Sequence, residues 1–264
     1  MLYLIAALAL CWATWKILQG GWTGVRGFQI AGFDVNAGLM GAVAVGAAMY
    51  FWGVQYGIAF IVAVVIHEFG HVAAFRVCGH ADARFRLIPL MGGVAISNSV
   101  PASTDKAFFI TLMGPAINLG PMALCFALAD LIFAADTVAL YPIGGYLYIQ
   151  AMVFASLNFF NLLPLWPLDG GKLTQRLVYT FAPDLTRQVS IAMTVLAVAL
   201  CVLTRSFFLL FFVMMSWPGL LQSENLLRVQ RPLSKRRGLL ALGAYLTTAA
   251  AFLVGGQALL LGFF

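Results

Sequence analysis

Two histidines four residues apart enclose a glutamate in the run His67-Glu68-Phe69-Gly70-His71. On a helix, residues four apart share a face, so both imidazoles can reach one metal ion. Glu68 is offset by about 100° and can reach a water on that ion as a general base. The chain has 3 histidines, and Glu68 and Glu224 are its only glutamates, so chance is a poor account of the pattern. The preceding run, Phe60 to Ile66, is wholly apolar. An ionised carboxylate at membrane depth costs about 2.5–3.5 kcal/mol on insertion scales, which makes Glu68 a functional residue by default.

A zinc ion needs a third protein ligand and an open position for water. The extended metzincin pattern requires glycine at 74 and histidine at 77, where this chain has Ala74 and Val77. Glu224 lies in a basic loop, and His80 follows Gly79, a glycine placed to cap the helix. Asp169 is better placed. It follows Asn161-Leu-Leu-Pro164-Leu-Trp-Pro167-Leu and precedes Gly170-Gly171. Two prolines break the helix there, and irregular backbone at membrane depth is tolerated where it is buried in protein or lines a cavity. Asn118, in an apolar span, has Pro115 and Pro121 beside it. It either bonds a neighbouring helix or contacts substrate backbone or a developing oxyanion, and Asn161 has the same two readings.

The elements that must carry these residues are transmembrane helices. Of 264 residues, 62% are hydrophobic and 9% are charged, against about 25% charged in an ordinary soluble domain. A soluble enzyme and a disordered chain are both excluded. Candidate spans are 2–18, 38–54, 56–77, 107–133, 138–163, 188–204, 206–222 and 238–262. Residues 37–77 as one helix would reach about 60 Å, twice the hydrocarbon thickness, so a turn is expected near Gly53 to Gly57. Residues 1–18 read as a retained span, since they lack a basic n-region and a small-x-small cleavage site. Cys11, Cys78, Cys125 and Cys201 have neither metal nor disulfide spacing.

The net charge of +6 does not form a nucleic-acid patch. Fourteen of the 15 basic residues fall in loops 16–36, 76–106, 164–187 and 223–237, and only Arg205 falls on the other face. The positive-inside rule then makes the basic face cytoplasmic and both termini extracytoplasmic. Counting inward from Arg76, His71 and His67 lie about 8 and 13 Å beneath that face. Lys172 marks the same border only three residues beyond Asp169.

Three motifs together resemble the site-2 proteases, intramembrane zinc metalloproteases: His67-Glu68-x-x-His71, Gly114-x-x-x-Asn118, and Asn161-x-x-Pro164-x-x-x-x-Asp169-Gly170. The resemblance implies that His67, His71 and Asp169 bind one Zn2+ per chain and that Glu68 activates water. It also implies a membrane re-entrant β-hairpin over Arg84 to Ile96, with Gly92-Gly93, that presents substrate as an extended strand. Trp166 stands where the family often has the first of consecutive prolines. No loop is long enough for a peptide-binding (PDZ) domain, and neither that module nor a nucleotide-sensing tail is expected to filter substrates here.

The expected architecture is an all-α polytopic membrane protein of about eight transmembrane helices with a three-helix catalytic core. Residues 1–264 form one integral membrane domain. Its core is 56–175, and 1–55 and 188–264 are peripheral helices. The expected activity is zinc-dependent endoproteolysis of single-span membrane proteins near the cytoplasmic face of a bacterial or archaeal membrane. Its partners are then those substrates and the lipid bilayer, not nucleic acid. The competing class is a non-catalytic zinc-binding scaffold or a metal transporter. A transporter should show repeated halves with matching broken helices, and a scaffold would be expected to lose Glu68.

The orientation has a direct test in a background lacking the four native cysteines. A cysteine at Ala83 should react with a membrane-impermeant thiol reagent only after cells are opened. One at Thr137 should react in intact cells with a permeable outer barrier. The reverse pattern would invert the topology.

Overall fold

The computed structural model describes residues 2–22, 46, 49–50, 53–88, 92–205, 210, 213–214 and 216–261. In chain order the helices are α1 (Leu2–Trp22), α2 (Val54–Val77), α3 (Thr104–Ala116), α4 (Leu119–Ala134), α5 (Tyr141–Asn161), α6 (Asp169–Phe181), α7 (Thr186–Leu203), α8 (Trp217–Val229) and α9 (Lys235–Leu261). Strands β1 (Arg84–Ile88) and β2 (Gly92–Ile96) stand between α2 and α3. Among the described residues, six stretches are long and apolar enough to cross a membrane: Leu2–Gly21, Val54–Val77, Thr104–Ala134, Val138–Asn161, Pro183–Leu203 and Lys235–Leu260. They correspond to six of the expected spans. The other two, 38–54 and 206–222, fall largely or partly outside the described residues. Large apolar side chains such as Tyr3, Trp12, Val65, Val195 and Leu203 are exposed, as a lipid-facing surface requires.

The chain divides into two compact units. One comprises residues 1–99, 113–159 and 248–264, the other 100–112 and 160–247.

In the first unit α1 packs on α2 and α4. One edge of α2 carries a polar contact at every turn. Gln150 Nε2 donates to the Ala59 carbonyl at 3.0 Å, and Asn118 Nδ2 donates to the Ala63 carbonyl at 3.2 Å. One turn further, His67 Nδ1 lies 2.8 Å from Asn158 Oδ1. Ala59 and His67 are eight residues apart on α2, and their partners Gln150 and Asn158 are eight apart on α5. The two helices therefore run parallel, which requires an odd number of intervening spans; the α3–α4 span is the one between them. Interhelical bonds of this kind contribute about 0.6 kcal/mol each in membrane proteins. Their larger effect is on register, because slipping α5 would strand all its partners in an apolar layer.

The α3–α4 span is broken at Ile117 and Asn118. Pro115 and Pro121 each remove an N–H, and the Asn118 N–H turns back to the Pro115 carbonyl at 3.0 Å. The end of α2 is a Schellman motif. The His80 N–H reaches the Phe75 carbonyl and the Gly79 N–H the Arg76 carbonyl, both at 3.0 Å, with Gly79 at φ 98°. The antiparallel hairpin follows, pairing Arg84 with Ile96 and Ile88 with Gly92, and it packs on α2. His80 clips its base, with Nδ1 lying 3.1 Å from Ser97 Oγ and 2.9 Å from Ser99 Oγ. Asp82 accepts from Ser97 Oγ at 3.0 Å and from the Asn98 N–H, which holds its carboxyl below the usual carboxylate range.

In the second unit, Leu165, Ala197, Cys201 and Val213 form a small core. The segment before α3 is tied down by Gln230 Nε2 donating to the Pro101 carbonyl at 2.8 Å, and Arg237 pairs with Asp105. The four cysteines are free thiols.

Candidate metal centre

His67 and His71 project from the same edge of α2, and their Nε2 atoms lie 3.1 Å apart. Two imidazoles holding one tetrahedral zinc at about 2.0–2.1 Å would have nitrogens roughly 3.3 Å apart, so the pair is already at chelating separation. Hydrogen-bond bookkeeping fixes the tautomer of His67. Asn158 Nδ2 donates to the Phe154 carbonyl at 2.7 Å, which turns Oδ1 toward the histidine. Oδ1 can only accept, so Nδ1 carries the proton and the lone pair falls on Nε2. His67 is 4% exposed and Asn158 0%. Such a partner, orienting the ring and raising its basicity, is what a metal-binding histidine requires.

Glycines set the clearance around His71. A Cβ on Gly114 would lie 2.2 Å from ring atoms of His71, and one on Gly70 would lie 2.3 Å from the Met113 carbonyl oxygen. The glycine inside the first motif and the one that opens the second are therefore both needed for α2 to lie this close to the α3–α4 span. Glu68 is half-buried and next in the helix, on the adjoining face.

Asp169 opens α6 and is 4% exposed. Asn161, which ends α5, clasps it from both sides. Its Nδ2 donates to Asp169 Oδ2 at 3.1 Å, and its Oδ1 accepts from the Asp169 N–H at 3.3 Å. Lys172 donates to Oδ1 at 3.0 Å. Each carboxylate oxygen keeps a further lone pair for a metal. The intervening loop reverses tightly, and Trp166, 4% exposed, anchors it through Nε1 to the Ser216 carbonyl at 3.3 Å. A Cβ on Gly170 would meet the Leu162 carbonyl at 2.1 Å, so α6 can begin against this loop only with glycine there. Burial pushes the Arg176 guanidinium down to about 10, with the Asp169 charge opposing. It stays cationic at neutral pH, within electrostatic reach of the Asp169 carboxylate.

Among the described residues, His67 and His71 of the first unit each offer an imidazole nitrogen, and Asp169 of the second offers a carboxylate oxygen, as ligands for a metal ion. The donor set of two neutral imidazoles and one carboxylate suits zinc in a site with an open position. Asn118 is wholly buried and donates to the Ala63 carbonyl, while Asn161 is engaged with Asp169. Gly92 and Gly93 open β2 opposite Ile88 and Leu87. Asn158 was not singled out by its sequence. The available signal was its type, a primary amide inside an apolar span.

The sequence pattern of peptidase family M50 matches residues 55–139 and 131–204. The chain belongs to that family. The resemblance to site-2 proteases drawn from the three motifs is borne out, and the chain is an integral multi-pass membrane protein. It is 28% identical over 130 residues to a zinc metalloprotease of Methanocaldococcus jannaschii, covering 48% of this chain and 35% of that one. It is 30% identical over 111 residues to stage IV sporulation protein FB of Bacillus subtilis, covering 42% and 35%. The chain thus spans about a third of the length of these curated relatives. The solved structure of the site-2 protease from Methanocaldococcus jannaschii aligns with a TM-score of 0.44 at 19% identity, over 72% of this chain and 88% of that one.

Gly114→Ala should rotate the His71 ring out of its place. Metal content of the purified protein should fall several-fold, while Gly145→Ala, whose Cβ would meet nothing within 4 Å, should leave it unchanged. Full retention of metal in Gly114→Ala would separate that glycine from the site.

Proposed function

We propose that this protein is a zinc-dependent intramembrane endopeptidase that cuts transmembrane segments of single-span membrane proteins near the cytoplasmic face. The observation that carries the reading is the His67–His71 pair at 3.1 Å, with the His67 lone pair directed by Asn158, inside an apolar span. Membership of peptidase family M50 supports the reaction class.

In this reading His67 and His71 supply imidazole ligands and Asp169 the carboxylate. Zinc bound there would lower the pKa of a coordinated water to about 7 and polarise the scissile carbonyl. Glu68 accepts the proton from the attacking water and delivers it to the leaving amide nitrogen. Asn158 and Asn161 position His67 and Asp169. Asn118 joins α2 to the α3–α4 break, and its Oδ1 is buried without a partner, so it would meet a substrate donor only if the packing around it opens. Residues 56–175 act as the catalytic core within one membrane domain, with 1–55 and 188–264 peripheral. The hairpin dips into the membrane at Gly92-Gly93 and offers a strand edge. A substrate helix hides its carbonyls in internal bonds, and pairing with that edge compensates those bonds as it unwinds.

Glu68→Gln should abolish cleavage of a single-span substrate while zinc content and thermal stability hold, since the amide keeps size and polarity but accepts no proton. Substantial residual cleavage would remove Glu68 from the general-base role.

Asp169→Ala should lower zinc content by at least tenfold, in line with loss of a ligand. His80→Ala should keep the zinc and loosen only the hairpin base, because Ser97 and Ser99 engage its Nδ1. Zinc lost with His80→Ala and kept with Asp169→Ala would give the wrong third ligand.

A further inference from the structure

A cavity of about 300 Å³ opens in the second unit, apart from the metal ligands, where the chain enters α7. Tyr179, Asp184, Thr186, Arg187, Glu224 and Arg228 line it. It sits at the N-terminal end of the candidate span Pro183–Leu203, which is the level of a membrane–water boundary. Four observations define its chemistry. Thr186 is 6% exposed, and its hydroxyl is buried with no hydrogen-bond partner, an unfavourable state unless something supplies one. A short 3-10 turn, Pro183–Leu185, leads straight into α7, uses the Thr186 N–H on the Pro183 carbonyl and sets Asp184 at the head of the helix, so the positive charge of the site comes from side chains. Arg187 and Arg228 add two guanidinium groups, the side chains best suited to phosphate. Asp184 and Glu224 share the lining, yet among the described residues they form no ion pair with either arginine.

A site with two cations, a waiting hydroxyl and two carboxylates suits a ligand carrying both a phosphate and a protonated amine. A purely anionic group would meet the carboxylates, and a quaternary ammonium has no N–H to give them. We propose that this cavity binds the phosphoethanolamine group of a phospholipid. The phosphate is held by Arg187, Arg228 and the Thr186 hydroxyl, and the ammonium by Asp184 and Glu224. Leu227, buried beside them, offers an apolar wall to the carbons that follow.

The test uses the delipidated full chain in detergent, titrated calorimetrically with dihexanoyl phosphatidylethanolamine, dihexanoyl phosphatidylcholine, dihexanoyl phosphatidylglycerol and free phosphoethanolamine. The ethanolamine lipid should bind roughly tenfold more tightly than the choline or glycerol lipid. Thr186→Val should weaken it about fivefold without lowering thermal stability, since it removes a hydroxyl that nothing in the protein satisfies. Arg187→Gln with Arg228→Gln should abolish binding, and Glu224→Gln should erase the preference for ethanolamine over choline. Tight binding of free phosphoethanolamine would uphold the headgroup chemistry and make the source a soluble ligand. Binding of the lipid alone would uphold the membrane source. Equal affinity for the ethanolamine and choline lipids, or unchanged binding in Thr186→Val, would overturn the proposal. Thr186→Val decides the matter if the double arginine variant does not fold.

Discussion

The bond between His67 Nδ1 and Asn158 Oδ1 fixes which nitrogen of His67 is free to bind a metal, and much of the first unit follows from it. An imidazole in an apolar layer has no water to share its proton with, so both nitrogens must be accounted for by protein or ligand. Asn158 settles one of them, and it can do so because the Phe154 carbonyl fixes its amide. For α5 to bring that amide within reach, its buried face must be small, and Ala151 and Ala155 are wholly buried. Gln150, two turns earlier, reaches the Ala59 carbonyl and pins the same register. The energy of any one rung is small, about 0.6 kcal/mol, yet a slipped register would leave several polar groups bare at several kcal/mol in total.

The same accounting governs Asp169 in the second unit. Its two oxygens and its N–H each have a named partner, one of them the cationic Lys172, and the positive end of α6 adds to the field. A carboxylate held this way is buried with both of its oxygens met by donors. The cost appears in the backbone, which must reverse within seven residues and let α6 start against its own loop. Gly170, Pro164, Pro167 and the buried Trp166 are the sequence's answer to that requirement.

What could be read in advance was what local rules determine. The His-Glu-x-x-His spacing, the break at Pro115 and Pro121, the glycine stop at Gly79 and six of the membrane spans all follow from helix geometry and hydropathy within a short window. Asn158 could not be reached that way. Asn118, Asn158 and Asn161 are the same residue type in apolar surroundings, and only packing decides that one meets a carbonyl, one a histidine and one an aspartate. The glycines at 70 and 114 were visible as motif letters, but the clash each avoids depends on a helix contact that no local pattern encodes. His80 was a possible ligand by type. Its distance along the chain carried no information about the serines that engage it.

The position of the hairpin follows from the helix that bears the histidines. The Schellman end of α2 turns the chain at Gly79 and delivers His80 at once to Ser97 and Ser99, so both ends of the hairpin are fixed within a few residues of one helix terminus. Asp82 repeats the closure through Ser97 and Asn98. Among the described residues the sheet has only these two strands, so each keeps an outer edge of backbone donors and acceptors. In water such an edge is satisfied by solvent. At membrane depth it is costly until another extended segment pairs with it. A transmembrane helix has the complementary problem, since unwinding it exposes carbonyls and N–H groups that lipid cannot serve. Under the proposed function, two unfavourable states would cancel in one ladder, and attachment of the hairpin to α2 would set where along the substrate that ladder forms.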